Sequence, residues 1–227
     1  MKMMSKISTA AAALALLSVP AAAQQGGNGG GGNGALVSYI NSLPLETLDA
    51  TELADLAFMR EEEKVARDVY RVMYQTWGLQ IFDNISQAEQ GHMNLTLIIL
   101  NRYGIADPVL SDATGDFSDP RLANIYTRLV TFGQQSELNA MLVGAIIEDF
   151  DIFDVEVMLG RTDNRDFRTV LQNLARGSRN HMRAFYRQLE NRGYTFQGLR
   201  IPTPVLLAIV NSATETRAVD ENGDVLP

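Results

Sequence analysis

The sequence lacks cysteine entirely. Disulfide bonds and thiolate metal sites are therefore excluded, and the fold must be stabilised by its helices or by a ligand. Basic residues are outnumbered, with 19 lysines and arginines against 27 aspartates and glutamates and a formal net charge of -8. Such an acidic chain is a poor partner for nucleic acids and anionic membranes, whereas its charge suits small cations. A glycine-rich phosphate loop and a Ser-His-Asp arrangement are also missing, so neither of those enzyme classes is supported.

The first 34 residues differ in composition from the rest. Lys2 and Lys6 precede an apolar run, AAALALLSV, and an AAA site at residues 21–23. This pattern is typical of a secretory signal peptide, residues 1–23, cleaved before Gln24. A membrane anchor fits less well because the run is short and rich in alanine. A glycine- and asparagine-rich linker follows at 24–34. The protein is therefore predicted to be exported, to the periplasm or the cell exterior, without membrane insertion after cleavage.

Apolar residues recur at helical spacing from residue 50 onward, and they predict four long helices with a shorter helix between the second and the third. Asp49 and Glu52 fit a capping box at the start of the first long helix. The long helices are expected at about 50–77, 79–103, 136–159 and 163–192, and the short helix at about 120–132.

The loop lengths predict how these helices are arranged. Short loops join the first helix to the second and the third to the fourth, whereas a long connection joins the two pairs. Two hairpins and one long crossover predict an all-α fold, the ferritin-like variant of the antiparallel four-helix bundle. The bundle is assigned to residues 35–200 and a C-terminal tail to residues 201–227. An apolar segment of the tail, Val205 to Val210, is expected to pack against the bundle.

Each long helix carries polar residues within its apolar stripe. Spacing of three residues places a glutamate and a histidine on one face of the second helix, one turn apart. Both histidines of the chain fall on such stripes, and each hairpin brings a carboxylate and an imidazole to the same height. This is the pattern of a carboxylate-bridged dinuclear metal site in a helical bundle. The candidate ligands are Glu63, Glu89, His92, Glu148 and His181.

Three consecutive glutamates, Glu61 to Glu63, lie on the first long helix. They cover about 200° of the helix, so they cannot all face inward. Glu63 lies on the core stripe, which Tyr70 extends two turns later. Glu62 shares a second stripe and is placed near the edge of the core, and Glu61 is predicted to be solvated.

Ordinary structural roles stay open for each of these residues taken alone. Glu63 can pair with Arg67 one turn further on, and a single buried histidine is more often a hydrogen-bonded core residue than a ligand. The combination favours metal, because burying one unpaired carboxylate costs on the order of several kcal/mol. A pair of divalent cations would offset that cost. Gly91 and Gly177 lie beside the candidate ligands, where close helix approach is expected.

Five segments together resemble the DUF2202 family of bacterial and archaeal proteins: FMREEEKVARDVY, WGLQIFDNISQAEQGHM, RYGIADP, GAIIEDFDIFDV and GSRNHMRAF. The resemblance covers roughly residues 50–195. It implies a ferritin-like four-helix bundle with a dinuclear metal centre, with ligands at Glu63, Glu89, His92, Glu148 and His181. The ferritin-type pattern has a glutamate where this chain has Ser178. Asp151, one turn after Glu148, is predicted to supply the missing carboxylate; otherwise the site is asymmetric.

Three functions compete. The first is a di-iron oxidoreductase or ferroxidase that holds two divalent metal ions and acts on dioxygen or peroxide, with Tyr70 hydrogen-bonded beside the ligands. The second is a metal-binding or metal-sequestering bundle without turnover, which the absent glutamate at Ser178 favours. The third is a helical interaction module with an internal ion-pair network. Carboxylate and imidazole sites accept iron, manganese and zinc, and availability often decides among them; iron is the expected metal, with manganese and zinc as alternatives.

Overall fold

A computed structural model of the protein describes residues 31–227, with side chains from residue 34 onward. This part of the chain forms seven helices and no strand, apart from one isolated antiparallel bridge between Val219 and Val225. None of the helices in residues 31–227 has the length and apolarity to span a membrane. The helices are α1 Gly31–Ser42, α2 Ala50–Trp77, α3 Gln80–Arg102, α4 Pro120–Gly133, α5 Glu137–Leu159, α6 Arg165–Glu190 and α7 Thr203–Val210.

The N-terminal part was predicted incompletely. The predicted signal peptide, 1–23, lies outside the described residues, as does most of the predicted linker. The last four residues of that linker, 31–34, are helical and begin α1, which the sequence reasoning did not anticipate. Leu36 and Ile40 of α1 are buried in a cluster with Phe167 and Leu171 of α6. The glycine-rich composition of residues 31–34 does not predict a helix, but packing of α1 against α6 stabilises one.

The predicted long helices are confirmed to within a few residues. Asp49 accepts hydrogen bonds from the N–H groups of Thr51 and Glu52, and the Glu52 side chain accepts one from the Asp49 N–H, which completes the expected capping box. Gly78 ends α2 with φ of 66°, in the left-handed region where glycine avoids a steric penalty. Two residues then separate α2 from α3, so the two helices fold back on each other.

The helices pack as two pairs, α2 against α3 and α5 against α6, while contacts of α2 with α5 and of α3 with α6 join the pairs. The fold is thus an α-helical bundle. The described core consists of two apolar clusters. One contains Tyr70, Phe82 and Phe185, and the other contains Leu56 and Phe167. On α2, α3 and α6, a polar segment separates the residues of one cluster from those of the other.

The crossover between α3 and α5 lies against α2, and α4 packs against both α2 and α5. Buried charged residues of α2 hold the crossover. Lys64 donates to the Ala113 carbonyl at 2.8 Å, and Arg60 forms two hydrogen bonds with Asp107, at 3.0 and 2.8 Å. In the tail, α7 packs on α6 and buries Leu206, so the apolar segment lies where it was expected.

Candidate metal centre

The polar layer between the two apolar clusters is formed by residues of α2, α3, α5 and α6. Its three glutamates are completely buried, and its two histidines are 8% exposed. Each of these residues occupies an inward position of its helix because the helical repeat returns to the same face every three or four residues. The members of the layer are Glu63 on α2, Glu89 and His92 on α3, Glu148 on α5 and His181 on α6.

A first group consists of Glu63, Glu89 and His92. Each residue offers one potential ligand atom, and these atoms all lie within 4.8 Å of one another. His92 Nδ1 lies 2.6 Å from Glu89 Oε2 and 3.2 Å from Glu63 Oε2. Two carboxylates and one imidazole at this spacing could hold a metal ion.

A second group consists of Glu89, Glu148 and His181 and meets the same 4.8 Å limit. His181 Nδ1 lies 2.9 Å from Glu89 Oε1 and 3.5 Å from Glu148 Oε2. The imidazole rings of His92 and His181 are 5.5 Å apart and inclined at 30°. Glu89 therefore belongs to both groups and turns one oxygen toward each histidine, as a carboxylate that bridges two cations would.

The oxygen atoms of this layer are short of hydrogen-bond partners. Nine buried side-chain nitrogen or oxygen atoms in the described residues have no aligned partner, and seven of them lie in or beside the layer. In folded proteins almost all buried polar atoms are bonded, so such a concentration indicates groups that a ligand completes. Divalent cations coordinate carboxylate oxygen and imidazole nitrogen, and the residues present fit that role. The seven atoms belong to Glu62, Glu63, Glu89, Glu148, Asp151 and His181.

Burial and mutual charge shift the pKa values in the layer. Burial raises the pKa of Glu63 to about 7, although His92 opposes that shift. Burial would lower the pKa of His181, but Glu89 and Glu148 raise it to about 10. Burial disfavours ionisation of Glu89, yet the two histidines hold its pKa below the usual value. Without a metal ion, the layer thus retains protons that bound cations would displace.

Tyr70 lies next to Glu148. Its hydroxyl donates a hydrogen bond of 2.5 Å to Glu148 Oε1, and its ring packs 5.4 Å from Phe185. Hydrogen bonds of this kind orient carboxylate ligands. The alternative partner of Glu63, Arg67, points elsewhere and donates to Asp68 at 2.9 Å and to Asp112 at 2.6 Å. The pairing of Glu63 with Arg67 therefore does not occur.

The three consecutive glutamates face three environments, and the prediction for Glu61 was wrong. Glu61 is 3% exposed rather than solvated, because it accepts the N–H groups of Ser118 and Asp119 at 2.5 and 3.0 Å, just before α4 begins. The local sequence pattern does not show that the crossover covers this face of α2. Glu62 is half-buried at the edge of the core, as expected, and its Oε2 is buried without a partner.

Asp151 and Ser178 contact each other beside the layer. Ser178 Oγ donates to Asp151 Oδ2 at 3.0 Å and also bonds the Leu174 carbonyl at 3.1 Å. Asp151 is 1% exposed, and its Oδ1 has no partner. Asp151 belongs to neither of the two groups. Its assignment as the replacement for the missing glutamate stays a prediction.

Glycine allows close approach at one of the two expected positions. A Cβ at Gly177 would lie 2.2 Å from His92 Nε2, so only glycine leaves room for this imidazole. Gly91 has open space around it, and the expectation of close packing there was wrong. Sequence reasoning missed Gly144, where a Cβ would lie 2.3 Å from Phe185 Cε1.

Fold and site together define an all-helical protein with two buried carboxylate–histidine groups that could hold metal ions. The chain belongs to the family described as an uncharacterized protein domain, DUF2202, which matches residues 52–213. It is 46% identical over 180 residues to the uncharacterized protein MJ0754 of Methanocaldococcus jannaschii, a match that covers 79% of this chain and 97% of the relative. The crystal structure of that hypothetical protein superposes with a TM-score of 0.76 over 77% of this chain and 99% of the other.

Proposed function

We propose that the protein is a ferritin-like di-iron oxidoreductase or ferroxidase. The main support for this proposal is the position of Glu89, whose Oε2 lies near His92 and whose Oε1 lies near His181. Each of the two histidines also has a second glutamate beside it. Two adjacent positions that share one carboxylate fit a pair of ions better than a single ion. Iron in such a centre supplies electrons to dioxygen or peroxide, and manganese and zinc suit the same ligands.

The ferritin-like arrangement is part of this proposal. It is supported by two helix pairs, α2 with α3 and α5 with α6, which one long crossover connects. All four helices contribute to the layer. Apolar clusters above and below it would exclude bulk water, which strengthens the electrostatic contacts of the ligands.

The remaining residues have distinct tasks in this proposal. Glu63 and His92 would bind one ion and Glu148 and His181 the other, and Glu89 would offer one oxygen to each. Tyr70 fixes the orientation of Glu148 through its hydrogen bond. A glycine at position 177 leaves the space that the His92 ring occupies.

A second candidate function is metal binding without turnover. Only one carboxylate, Glu89, belongs to both groups, and Ser178 uses its hydroxyl to bond Asp151 and the Leu174 carbonyl. A single bridging carboxylate leaves the two ions with less shared negative charge. This observation favours weaker retention of one ion and slower redox cycling.

Iron loading followed by oxygen exposure tests the proposal. Protein loaded anaerobically with Fe(II) should bind two ions per chain by elemental analysis and should then consume dioxygen. Glu89→Gln should abolish oxygen consumption and reduce metal content, whereas Glu156→Gln, at an exposed position of α5, should change neither. Bound iron without oxygen consumption would favour the second function, and absence of bound metal would contradict both.

We also propose that the protein acts outside the cytoplasm, on the support of the charged, apolar and small-residue pattern of residues 2–23. Its substrates there would be dioxygen or peroxide rather than nucleic acid, in keeping with the net charge of -8. N-terminal sequencing of protein recovered from its own cell should begin at Gln24. A sequence that begins at Met1 would contradict export by this signal.

A further inference from the structure

A cavity of about 540 Å³ lies between α2, α4 and α5. Its walls are mostly apolar: α4 contributes Ile125 and Leu129, and α5 contributes Ile146 and Phe150. The volume is in the range of pockets that enclose small organic molecules. Arg128 lines the cavity from an exposed position on α4, which marks the side facing solvent.

Two acidic side chains line the same cavity. Glu62 Oε2 and Asp151 Oδ1 are both buried, and no N–H or O–H group of the described residues donates to either oxygen. The carboxyl group of Asp154 lies beside Glu62 and adds a third acid at this end of the cavity. Asp151 is 1% exposed, and Ser178 satisfies only its other oxygen. An unpaired oxygen in an apolar wall is costly, so these two atoms indicate a hydrogen-bond donor that enters the cavity.

The acidic end of the cavity lies beside the candidate metal centre. Glu62 directly precedes Glu63 in α2, and Asp151 lies one turn beyond Glu148 in α5. Ser178, the partner of Asp151, lies one turn before His181 in α6. A molecule whose polar end occupies this position would approach the centre from the side of α2 and α5.

We propose that this cavity binds a small apolar molecule carrying one protonated primary amine, with the ammonium group at Glu62 and Asp151 and the apolar part along α4 and α5. An ammonium group has three donors, so one such group has enough donors for more than one carboxylate oxygen. A neutral alcohol has one donor and leaves one oxygen unpaired, and a carboxylate is repelled. A hydrated metal ion gains nothing from the apolar walls and would have to shed water along them.

This inference deepens the proposed function, because a role for the amine as substrate rests on the metal centre beside it. Binding itself does not require metal. The test titrates hexylamine, hexan-1-ol and hexanoate into the metal-loaded full chain and follows binding by calorimetry. Hexylamine should bind at least about tenfold more tightly than hexan-1-ol, which corresponds to one charge-assisted hydrogen bond, and hexanoate should not bind.

Substitutions in and outside the cavity test where hexylamine binds. Ile125 is 45% exposed, so Ile125→Trp can fill the cavity without disturbing the core, and it should weaken hexylamine binding at least about tenfold. Val157→Trp, at a 40% exposed position of α5 away from the cavity, is the matched control and should leave binding unchanged. Glu62→Gln and Asp151→Asn should each weaken binding of the amine but not of the alcohol.

Two outcomes would overturn the inference: equal affinities for amine and alcohol, or an amine affinity that Ile125→Trp leaves unchanged. Metal content, measured on every variant, separates this failure from failure of the proposed function. If metal is bound and hexylamine is not, only the cavity inference fails. If hexylamine binds and Ile125→Trp prevents it in protein that holds no metal, the binding part of the inference stands and the metal proposal fails.

Discussion

Helix α2 buries charge on two faces, and the two faces differ in how that charge is satisfied. On the face under the crossover, Lys64 and Arg67 donate to Asp68 at 2.7 and 2.9 Å, and all three residues are completely buried. On the face toward the bundle centre, Glu63 has one oxygen 3.2 Å from His92 and the other without a partner. The buried charges on the first face compensate one another within the chain, whereas the unpaired acid on the second face lacks such compensation and requires a ligand.

The largest expected effect on stability comes from disrupting the ion pairs of α2 under the crossover. Asp68→Ala removes the acid that Lys64 and Arg67 share, so the buried Lys64 loses its carboxylate partner and Arg67 keeps only the carboxylate of Asp112. The free energy of unfolding should fall by about 3–5 kcal/mol, and added metal should not restore it. Denaturant titration measures this loss. Asp116→Ala, at an exposed position of the same crossover, is the control and should have little effect. Equal losses in the two variants would show that the Asp68 network does not hold the crossover.

Removing metal tests whether the acids of α2 that face the bundle centre depend on a bound ligand. A ligand bound only to the folded state stabilises it by about 2.7 kcal/mol at a free concentration of 100 times Kd. A chelator should therefore lower the melting temperature of the unchanged protein and should have little effect on Glu89→Gln. Calorimetric melting with and without chelator measures the difference. Identical melting curves for the unchanged protein would favour a structural role for the polar layer.

Glu61 and Glu63, which are two residues apart on α2, allow the two faces to be compared within one helical turn. Glu63→Ala should lower metal content sharply, and it should not destabilise the chelated protein, because it removes a buried and incompletely paired acid. Glu61→Ala should leave metal content unchanged but lower stability by about 0.5–2 kcal/mol, through loss of the bonds to the N–H groups before α4. Elemental analysis measures the metal content of both variants, and denaturant titration measures their free energies of unfolding. Equal loss of metal from both variants would mean that the two faces are not distinct.

The smallest effect is expected at Asp151. This residue bonds Ser178 and lies outside both ligand groups, so Asp151→Asn, which keeps the shape, should leave two metals per chain. The competing hypothesis, in which Asp151 replaces the glutamate absent at Ser178, predicts a fall from two metals to one. Metal-to-protein stoichiometry distinguishes the two. Ser178→Glu should tighten the second position under either hypothesis, because it adds a carboxylate next to His181.

The four long helices and the positions of the candidate ligands followed from the spacing of apolar and polar residues. Glu63, Glu89, His92, Glu148 and His181 were chosen because each interrupts an apolar stripe, and the structure brings all five into one layer. A surface that a distant segment covers cannot be recognised from the local pattern. Glu61 was predicted to be solvated because nothing near it in sequence shows that the N–H groups of residues 118 and 119 donate to it.

Sequence alone determined the elements that depend on local rules. The capping box at Asp49 and Glu52, the stop at Gly78 and the inward faces of the helices follow from hydrogen bonding and helical geometry within a few residues. Only the tertiary structure decided which buried charges are paired. Whether Glu63 finds Arg67 or His92, whether position 177 needs glycine, and whether α1 forms depend on which distant residues are neighbours, and these contacts are set by packing of the whole bundle.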